Sequence, residues 1–288
     1  MPFYIFAWAA AIIYGLYAVI AKLVGKYKLQ NVAQFSFFIT LFSGVVTATI
    51  SIANGAQMPT NWTYIILAGL FLSLGSILYL SVLKSLDLSV MSPLFNFRTA
   101  ITVILGYIFL GENLTIKSVL LIGLIIIAGI FVTMDENFSI KSFFTKKISL
   151  GLFFMLVGAI QTVFVNRAID QTNYWTASLW MGLVAIIFSF IFLFKRFIKD
   201  VLKSKLTDYT GVAILAIFGG IGELVSNKAF AGNVGISSII ISLPLSMLLV
   251  FLFAIWKPSL LERHTMKVYA IRFIAAGVMI WGALMLTG

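Results

Sequence analysis

The sequence has no cysteine and only one histidine, His264, among 288 residues. Without cysteine the chain forms no disulfide and no thiolate metal site, and one histidine cannot supply a histidine-rich metal centre. Charged residues make up 10% of the chain, whereas about 25% is usual for a soluble domain. These absences exclude thiol redox chemistry, a soluble enzyme and a disordered chain. We expect neither a metal nor another cofactor.

Apolar residues are abundant instead: they make up 61% of the chain, and the mean hydropathy is +1.10. A helix that crosses a bilayer needs about 20 mostly apolar residues. The sequence contains ten such runs: Phe3–Leu23, Val32–Ala53, Trp62–Leu83, Ser89–Leu110, Ile116–Met134, Leu150–Ile169, Tyr174–Phe194, Tyr209–Phe230, Ile236–Trp256 and Val268–Leu286. The first run lacks the basic flank of a signal peptide. The sequence therefore predicts an all-α integral membrane protein with ten transmembrane helices.

The basic residues alternate between the predicted connections. Fifteen lie in connections 1–2, 3–4, 5–6, 7–8 and 9–10, whereas the opposite connections and the termini hold only Lys117 and Arg167. The fifteen are Lys22, Lys26, Lys28, Lys84, Lys141, Lys146, Lys147, Lys195, Arg196, Lys199, Lys203, Lys205, Lys257, Arg263 and Lys267. Because cytoplasmic loops are rich in Lys and Arg, we expect a multi-pass protein of the cell membrane with both termini outside. The same bias explains the net charge of +11 without a nucleic-acid partner.

The two halves of the chain resemble each other weakly. The basic linker Asp135–Lys147 divides the chain into residues 1–138 and 139–288, with five predicted helices in each. Pro93 in helix 4 precedes Glu112 by 19 residues, and Pro244 in helix 9 precedes Glu262 by 18. Because five is an odd number, the second half enters the membrane with the opposite orientation. The prediction is two inverted five-helix repeats.

This pattern resembles the EamA-like ten-helix transporters of the drug/metabolite transporter superfamily. The features that carry the resemblance are Pro93 followed by Leu-Gly-Glu-Asn at 110–113, its echo in Pro244 and Leu-Glu at 261–262, and the early glycines Gly15 and Gly158. The resemblance implies a metabolite carrier with a central cavity lined by helices 1–4 and 6–9, and helices 5 and 10 outside it. The chain departs from the family in two respects. Many relatives keep both termini in the cytoplasm, and residues 258–262 read Pro-Ser-Leu-Leu-Glu where the family has Leu-Gly-Glu.

Three ionisable residues lie deep inside the predicted helices: Arg98 in helix 4, and Glu223 and Lys228 in helix 8. A charge at bilayer depth is costly and is by default a functional hypothesis. One interpretation is a structural ion pair between Arg98 and Glu223. The other is a cavity site in which Arg98 or Lys228 binds a substrate anion while Glu223 carries a proton or binds an amine. Arg272, near the start of helix 10, is expected to reach the interface by snorkelling.

Neutral polar side chains and helix breakers complete the candidate site. The further candidates for substrate binding are Asn96, Asn227, Tyr14, Tyr79, Gln161 and Trp180. Asn227 follows Glu223 by one turn and shares its face. Interhelical hydrogen bonding is the alternative role for any of the polar ones. Pro93, Pro244 and Gly222 are predicted hinges, since proline kinks a helix and frees a carbonyl.

The leading hypothesis is a secondary active transporter of a small polar metabolite, such as an amino acid or a related zwitterion or anion. It works by alternating access, with proton coupling through Glu223 as a further hypothesis. One alternative is an exporter of organic cations or drugs that uses Glu223. The other is a non-transporting scaffold or lipid-handling protein. No enzymatic constellation and no ATP-binding motif is present. The expected partners are the substrate, membrane lipids and protons, with the chain a monomer.

Overall fold

The computed structural model describes residues 2–110, 115–134, 140–256, 261 and 264–287. Within these ranges the chain is all helical, with two 3₁₀ turns, Ile140–Ser142 and Leu206–Asp208, and no strand. The α-helices are α1 Phe3–Tyr27, α2 Val32–Ala53, α3 Thr63–Ser85, α4 Leu88–Leu94, α5 Asn96–Leu110, α6 Ile116–Val132, α7 Lys146–Gln171, α8 Tyr174–Val201, α9 Thr210–Gly232, α10 Val234–Ile241, α11 Leu245–Trp256 and α12 Met266–Thr287.

Eight segments of the described chain are long and apolar enough to cross a bilayer. They are Phe3–Tyr27, Val32–Ala53, Thr63–Ser85, Lys146–Gln171, Tyr174–Val201, Leu206–Gly232, Ile239–Trp256 and Met266–Met285. The helix α6 is apolar but shorter, with 17 residues. The predicted class of an all-α membrane protein is therefore confirmed. Predicted helix 4 is not continuous, because it is divided into α4 and α5, and predicted helix 9 is divided into α10 and α11.

Both divisions fall at the two prolines that the sequence singled out. Proline lacks the backbone donor that a continuing helix requires, and its ring clashes with the preceding turn. The helix α4 ends one residue after Pro93, and Pro244 stands directly before the first residue of α11. Asn96 joins the two breaks: its Nδ2 donates to the Pro93 carbonyl at 3.0 Å, and its Oδ1 accepts from Ser242 Oγ at 3.2 Å. The carbonyl of Pro93, in the last turn of α4, is thus bonded by a side chain.

The helices of the first half pack mainly on those of the second. The helix α1 lies along α9, α2 along α8, α3 along α7 and α6 along α12. Glycine makes the α2–α8 contact close, because a Cβ added to Gly182 would lie 3.8 Å from the Cα of Gly44. Close approach through small residues is the usual way in which membrane helices gain packing energy. The pairing builds a bundle with α6 and α12 on one side.

The connections that carry most of the basic residues lie together at one end of this bundle, here named the basic end. At this end Lys22 Nζ donates to the carbonyls of Leu83 and Leu86 at 2.5 and 2.6 Å. His264 Nε2 lies 3.0 Å from Asp87 Oδ2. The opposite end, here named the terminal end, holds the start of α1, where a Cβ on Gly232 would lie 2.5 Å from the Cβ of Phe3. Both the Lys22 and the His264 contacts join segments that are distant in the chain, so the basic end is held by more than apolar packing.

Arg272 corrects one expectation from the sequence. Its side chain is only 2% exposed, so it does not snorkel to the interface. Its Nη1 donates to Ser89 Oγ at 2.5 Å and its Nη2 to the Met134 carbonyl at 3.2 Å. The guanidinium therefore binds α12 to the start of α4 and the end of α6. A buried cation persists where such acceptors replace water.

Candidate functional site

A cavity of about 260 Å³ lies midway along the bundle. Residues of α1–α5 and α7–α11, together with the two helix breaks, line it, and among the described residues none from α6 or α12 does. This is the arrangement that the family resemblance implies for the central cavity. Mid-bundle cavities beside broken helices are typical substrate sites in transporters.

Arg98 reaches this cavity from the first turn of α5. Its Nη2 donates to Thr162 Oγ1 on α7, and its Cζ lies 5.8 Å from the centre of the Phe230 ring on α9. The guanidinium lies on α7 beside Gly158, where a Cβ would be in ordinary contact with Arg98 Cζ at 3.5 Å. The Nε–H is buried and has no hydrogen-bond partner among the described residues. A guanidinium so placed is fixed on one side and retains a free donor.

Glu223 enters the cavity from α9. Within the described chain its carboxylate has no ion pair of 4.0 Å or less, and the guanidinium of Arg98 bonds Thr162 instead. The direct structural pair between Arg98 and Glu223 is therefore not formed in this structure. Both charges face one cavity without neutralising each other by contact.

Tyr14 lines the cavity together with Arg98 and Glu223. Its phenol is close enough to interact electrostatically with both. The hydroxyl of Ser226 donates to the Glu223 carbonyl at 3.0 Å, so the 3.1 Å contact between Tyr14 and Ser226 has the Tyr14 hydroxyl as donor. Gly222 makes this arrangement possible, because a Cβ there would lie 3.0 Å from Tyr14 Cε1. Gly222 itself lies within an unbroken α9.

Aromatic rings form one wall of the cavity. Tyr14, Tyr17, Tyr79, Phe154 and Phe95 follow one another with ring centroids 6.5, 5.7, 5.8 and 5.7 Å apart. All five line the cavity. Three of these contacts are edge-to-face and the Tyr17–Tyr79 contact is tilted, and such pairs stabilise an aromatic surface. The wall offers a complementary face for an apolar part of a ligand.

The remaining predicted residues divide into two groups. Asn227 and Gln161 line the cavity with Arg98, Glu223, Tyr14 and Tyr79, and Asn227 Nδ2 is buried without a partner in the described chain. Asn96, Lys228 and Trp180 do not line it.

The three residues outside the cavity have other contacts. Asn96 is fully buried between the helix breaks. Lys228 is exposed, and its Nζ lies 5.0 Å from the centre of the Tyr174 ring. It follows Asn227 by one residue, which places it about 100° further around α9 and away from the cavity. The indole of Trp180 donates to the Gln57 carbonyl at 2.8 Å at the terminal end. Asn96 therefore has the interhelical role that the sequence left open.

Sequence reasoning missed Thr162 and Phe230, which contact Arg98, and Ser226, which contacts Tyr14. Thr162 lies one turn after Gly158, and Ser226 lies three residues after Glu223. Residues three and four apart on a helix share a face. A search of the turns next to each candidate would have found the first two, but no local signal places Phe230 over Arg98.

Comparison with known proteins gives a family match for residues 1–134 and a fold for almost the whole chain. Residues 1–134 match the model of the EamA-like transporter family, and no curated protein matches the chain. One solved structure, described only as the crystal structure of a protein, aligns with a TM-score of 0.62 at 14% identity, over 98% of this chain and 97% of that chain. That likeness shows a shared fold over almost the whole length. The resemblance drawn from the sequence is thereby confirmed over residues 1–134, which match the EamA-like transporter family and are consistent with the drug/metabolite transporter superfamily.

Proposed function

We propose that the protein is a secondary active transporter of a small polar metabolite, an amino acid or a related zwitterion or anion, in the cell membrane. The observation that carries this proposal is the cavity in which Arg98 and Glu223 face one space without an ion pair between them. A carboxylate or phosphate suits the Arg98 guanidinium, whose planar fork binds such groups through two parallel hydrogen bonds. An ammonium group suits Glu223.

The proposed architecture is ten membrane crossings in two inverted repeats, residues 1–138 and 139–288. If α4–α5 and α10–α11 each count as one crossing, every half has five. The pairing supports a two-fold relation, since α1 on α9 and α3 on α7 are the same contact with the halves exchanged. The α2–α8 contact and the α6–α12 contact each join corresponding helices of the two halves, so exchanging the halves leaves both contacts unchanged. A break at Pro93 and another at Pro244 fit the same relation.

Transport by alternating access requires a state that is closed at one end. Buried apolar residues from four helices meet in the turns nearest the basic end, among them Val24, Leu83, Ile148 and Val212. We propose that this packing closes the basic end, and that the breaks at Pro93 and Pro244 act as hinges when it opens. The cavity then opens toward the terminal end in this state.

The absence of native cysteine makes this proposal testable by single cysteine substitutions. Ser76→Cys places a thiol in the cavity, while Thr60→Cys and Ser149→Cys mark the exposed terminal and basic ends. In sealed vesicles, a membrane-impermeant maleimide should label Ser76→Cys in the orientation that labels Thr60→Cys. Labelling from the side of Ser149→Cys would contradict the proposed state.

Export of organic cations or drugs is the second candidate function. Two observations favour it: Glu223 lies beside the aromatic wall, and Arg98 bonds Thr162 as a structural residue would. Aromatic faces attract organic cations. Competition separates the two functions, because an anionic or zwitterionic competitor blocks uptake in the first and an organic cation in the second.

The test of transport itself uses purified protein. A thermal-shift screen of metabolites identifies ligands, and flux of the best ligand into liposomes containing only this protein measures transport. We expect saturable flux that empty liposomes lack. A ligand that binds but does not cross would favour the non-transporting scaffold.

A further inference from the structure

The last turns of α8 extend beyond the length that a bilayer core requires. The helix has 28 residues, which is about 42 Å at a rise of about 1.5 Å per residue, and a bilayer core is about 30 Å thick. Ile187, Ile191 and Phe194 are 57, 63 and 38% exposed. Their spacing of four and three residues places them on one face. This face is suited to acyl chains as far as Phe194.

Beyond Phe194 the same face becomes basic. Lys195 and Lys199 continue the four-residue spacing from Ile191, and both are exposed. Leu202, which is 81% exposed, lies three residues after Lys199. The segment from Phe194 to Leu206, here named the α8 basic segment, also exposes Arg196, Lys203, Lys205 and, at 86%, Leu206. Five cations and two exposed leucines therefore share one short stretch.

The nearby acidic side chains do not neutralise these cations. Asp200 accepts a hydrogen bond from Asn31 Nδ2 on α2, and Asp208 Oδ2 accepts from the backbone N–H of Lys205 at 2.9 Å. Within the described residues no ion pair of 4.0 Å or less joins a cation of the segment to a carboxylate. The segment thus presents a net positive surface at the level where the helix leaves the hydrocarbon.

We propose that the α8 basic segment binds the headgroups of anionic phospholipids in the surrounding bilayer. Lys195 and Lys199 face the lipid phosphates, and Leu202 and Leu206 enter the boundary between headgroups and acyl chains. Basic residues beside a membrane helix attract anionic lipid, and exposed leucines add apolar contact that a soluble phosphate cannot supply. The lipid, rather than free phosphate, is therefore the ligand. This site is independent of the proposed transport function.

The experiment measures stabilisation of the full-length protein in mixed micelles by thermal unfolding. Phosphatidylglycerol is titrated against phosphatidylcholine for the wild type, for K195Q/K199Q and for the control K117Q/R167Q. The control removes the same charge from exposed residues at the terminal end. A lipid that binds the folded state stabilises it by RT ln(1 + L/Kd), where L is the lipid concentration, so the apparent Tm rises with the ratio of L to Kd.

We expect phosphatidylglycerol to raise the Tm of the wild type and of the control alike. In K195Q/K199Q the lipid fraction that produces a given rise in Tm should increase about fivefold to 25-fold, since each basic residue near an anionic surface strengthens binding about fivefold. Equal responses of the two double variants would overturn the proposal. So would an equal shift of the wild type with inorganic phosphate, which would assign the site to a soluble anion.

Discussion

Substitution of Asn96 by alanine should loosen the crossing of the two broken helices. The side chain is fully buried and makes two hydrogen bonds, one to the Pro93 carbonyl and one from Ser242 Oγ. A buried hydrogen bond contributes about 0.5–1.5 kcal/mol, and bonds between membrane helices average about 0.6 kcal/mol. We therefore expect Asn96→Ala to lower the free energy of unfolding by about 1–3 kcal/mol.

A double-mutant cycle isolates the bond that joins the breaks. Ser242→Ala should cost less than Asn96→Ala, because the single hydroxyl hydrogen of Ser242 is shared between Asn96 Oδ1 and the Ile239 carbonyl, and the variant keeps the Asn96–Pro93 bond. With the double variant, denaturant titration in mixed micelles should give a coupling energy of about 0.6 kcal/mol. Additive single effects, with no coupling between the positions, would refute the assignment of this bond as a link between α4–α5 and α10–α11.

Four further predictions concern packing, charge and orientation. Gly222→Ala should destabilise the protein by about 1–3 kcal/mol, because its Cβ would lie 3.0 Å from atoms of Ile13 and Tyr14. Gly277→Ala is the control: a Cβ there would have nothing within 4 Å, so this variant should be neutral or stabilising in the same unfolding assay. The hydrogen bond from His264 holds the pKa of Asp87 below its usual value. The free energy of unfolding of the wild type should therefore exceed that of Asp87→Asn above about pH 4, and this difference should decrease as the pH falls through the lowered pKa. A constant difference in unfolding free energy from pH 3 to pH 7 would contradict this. Arg98→Lys should keep the protein folded and weaken an anionic ligand about tenfold to 100-fold, since a charged hydrogen bond contributes about 1.5–3 kcal/mol; normal transport by Arg98→Ala would refute the anion-binding role. A reporter fused to the C terminus should give the signal of the external side, and a cytoplasmic signal would mean that the precedent of the family outweighs the charge bias.

Properties that depend on the local sequence were predictable here. The apolar runs determine where helices form, and the two prolines determine where α4–α5 and α10–α11 divide, because both effects act within a few residues. The charges at Arg98 and Glu223 were identifiable because an ionised group inside an apolar run requires a polar environment. Each of these inferences uses only the chemistry of neighbouring residues.

Properties that depend on helix rotation and distant partners were not predictable. Lys228 and Asn227 are adjacent, yet one is exposed and the other lines the cavity. The rotation of α9 decides between them, and it is set by the glycines that face α1 and α2. Arg272 is buried because Ser89 and the Met134 carbonyl lie 183 and 138 residues away in the chain. No pattern within α12 encodes that contact.

Glu223→Gln tests the proposed proton-coupled transport most directly. Glutamine keeps the size and the hydrogen-bonding capacity of the side chain in the cavity, but it cannot carry a proton. In liposomes containing purified protein, the wild type should accumulate its ligand when a pH gradient is imposed. Glu223→Gln should lose that accumulation while it still exchanges internal for external ligand. Full accumulation by Glu223→Gln in response to the gradient would contradict the account, and would leave Glu223 with a structural role.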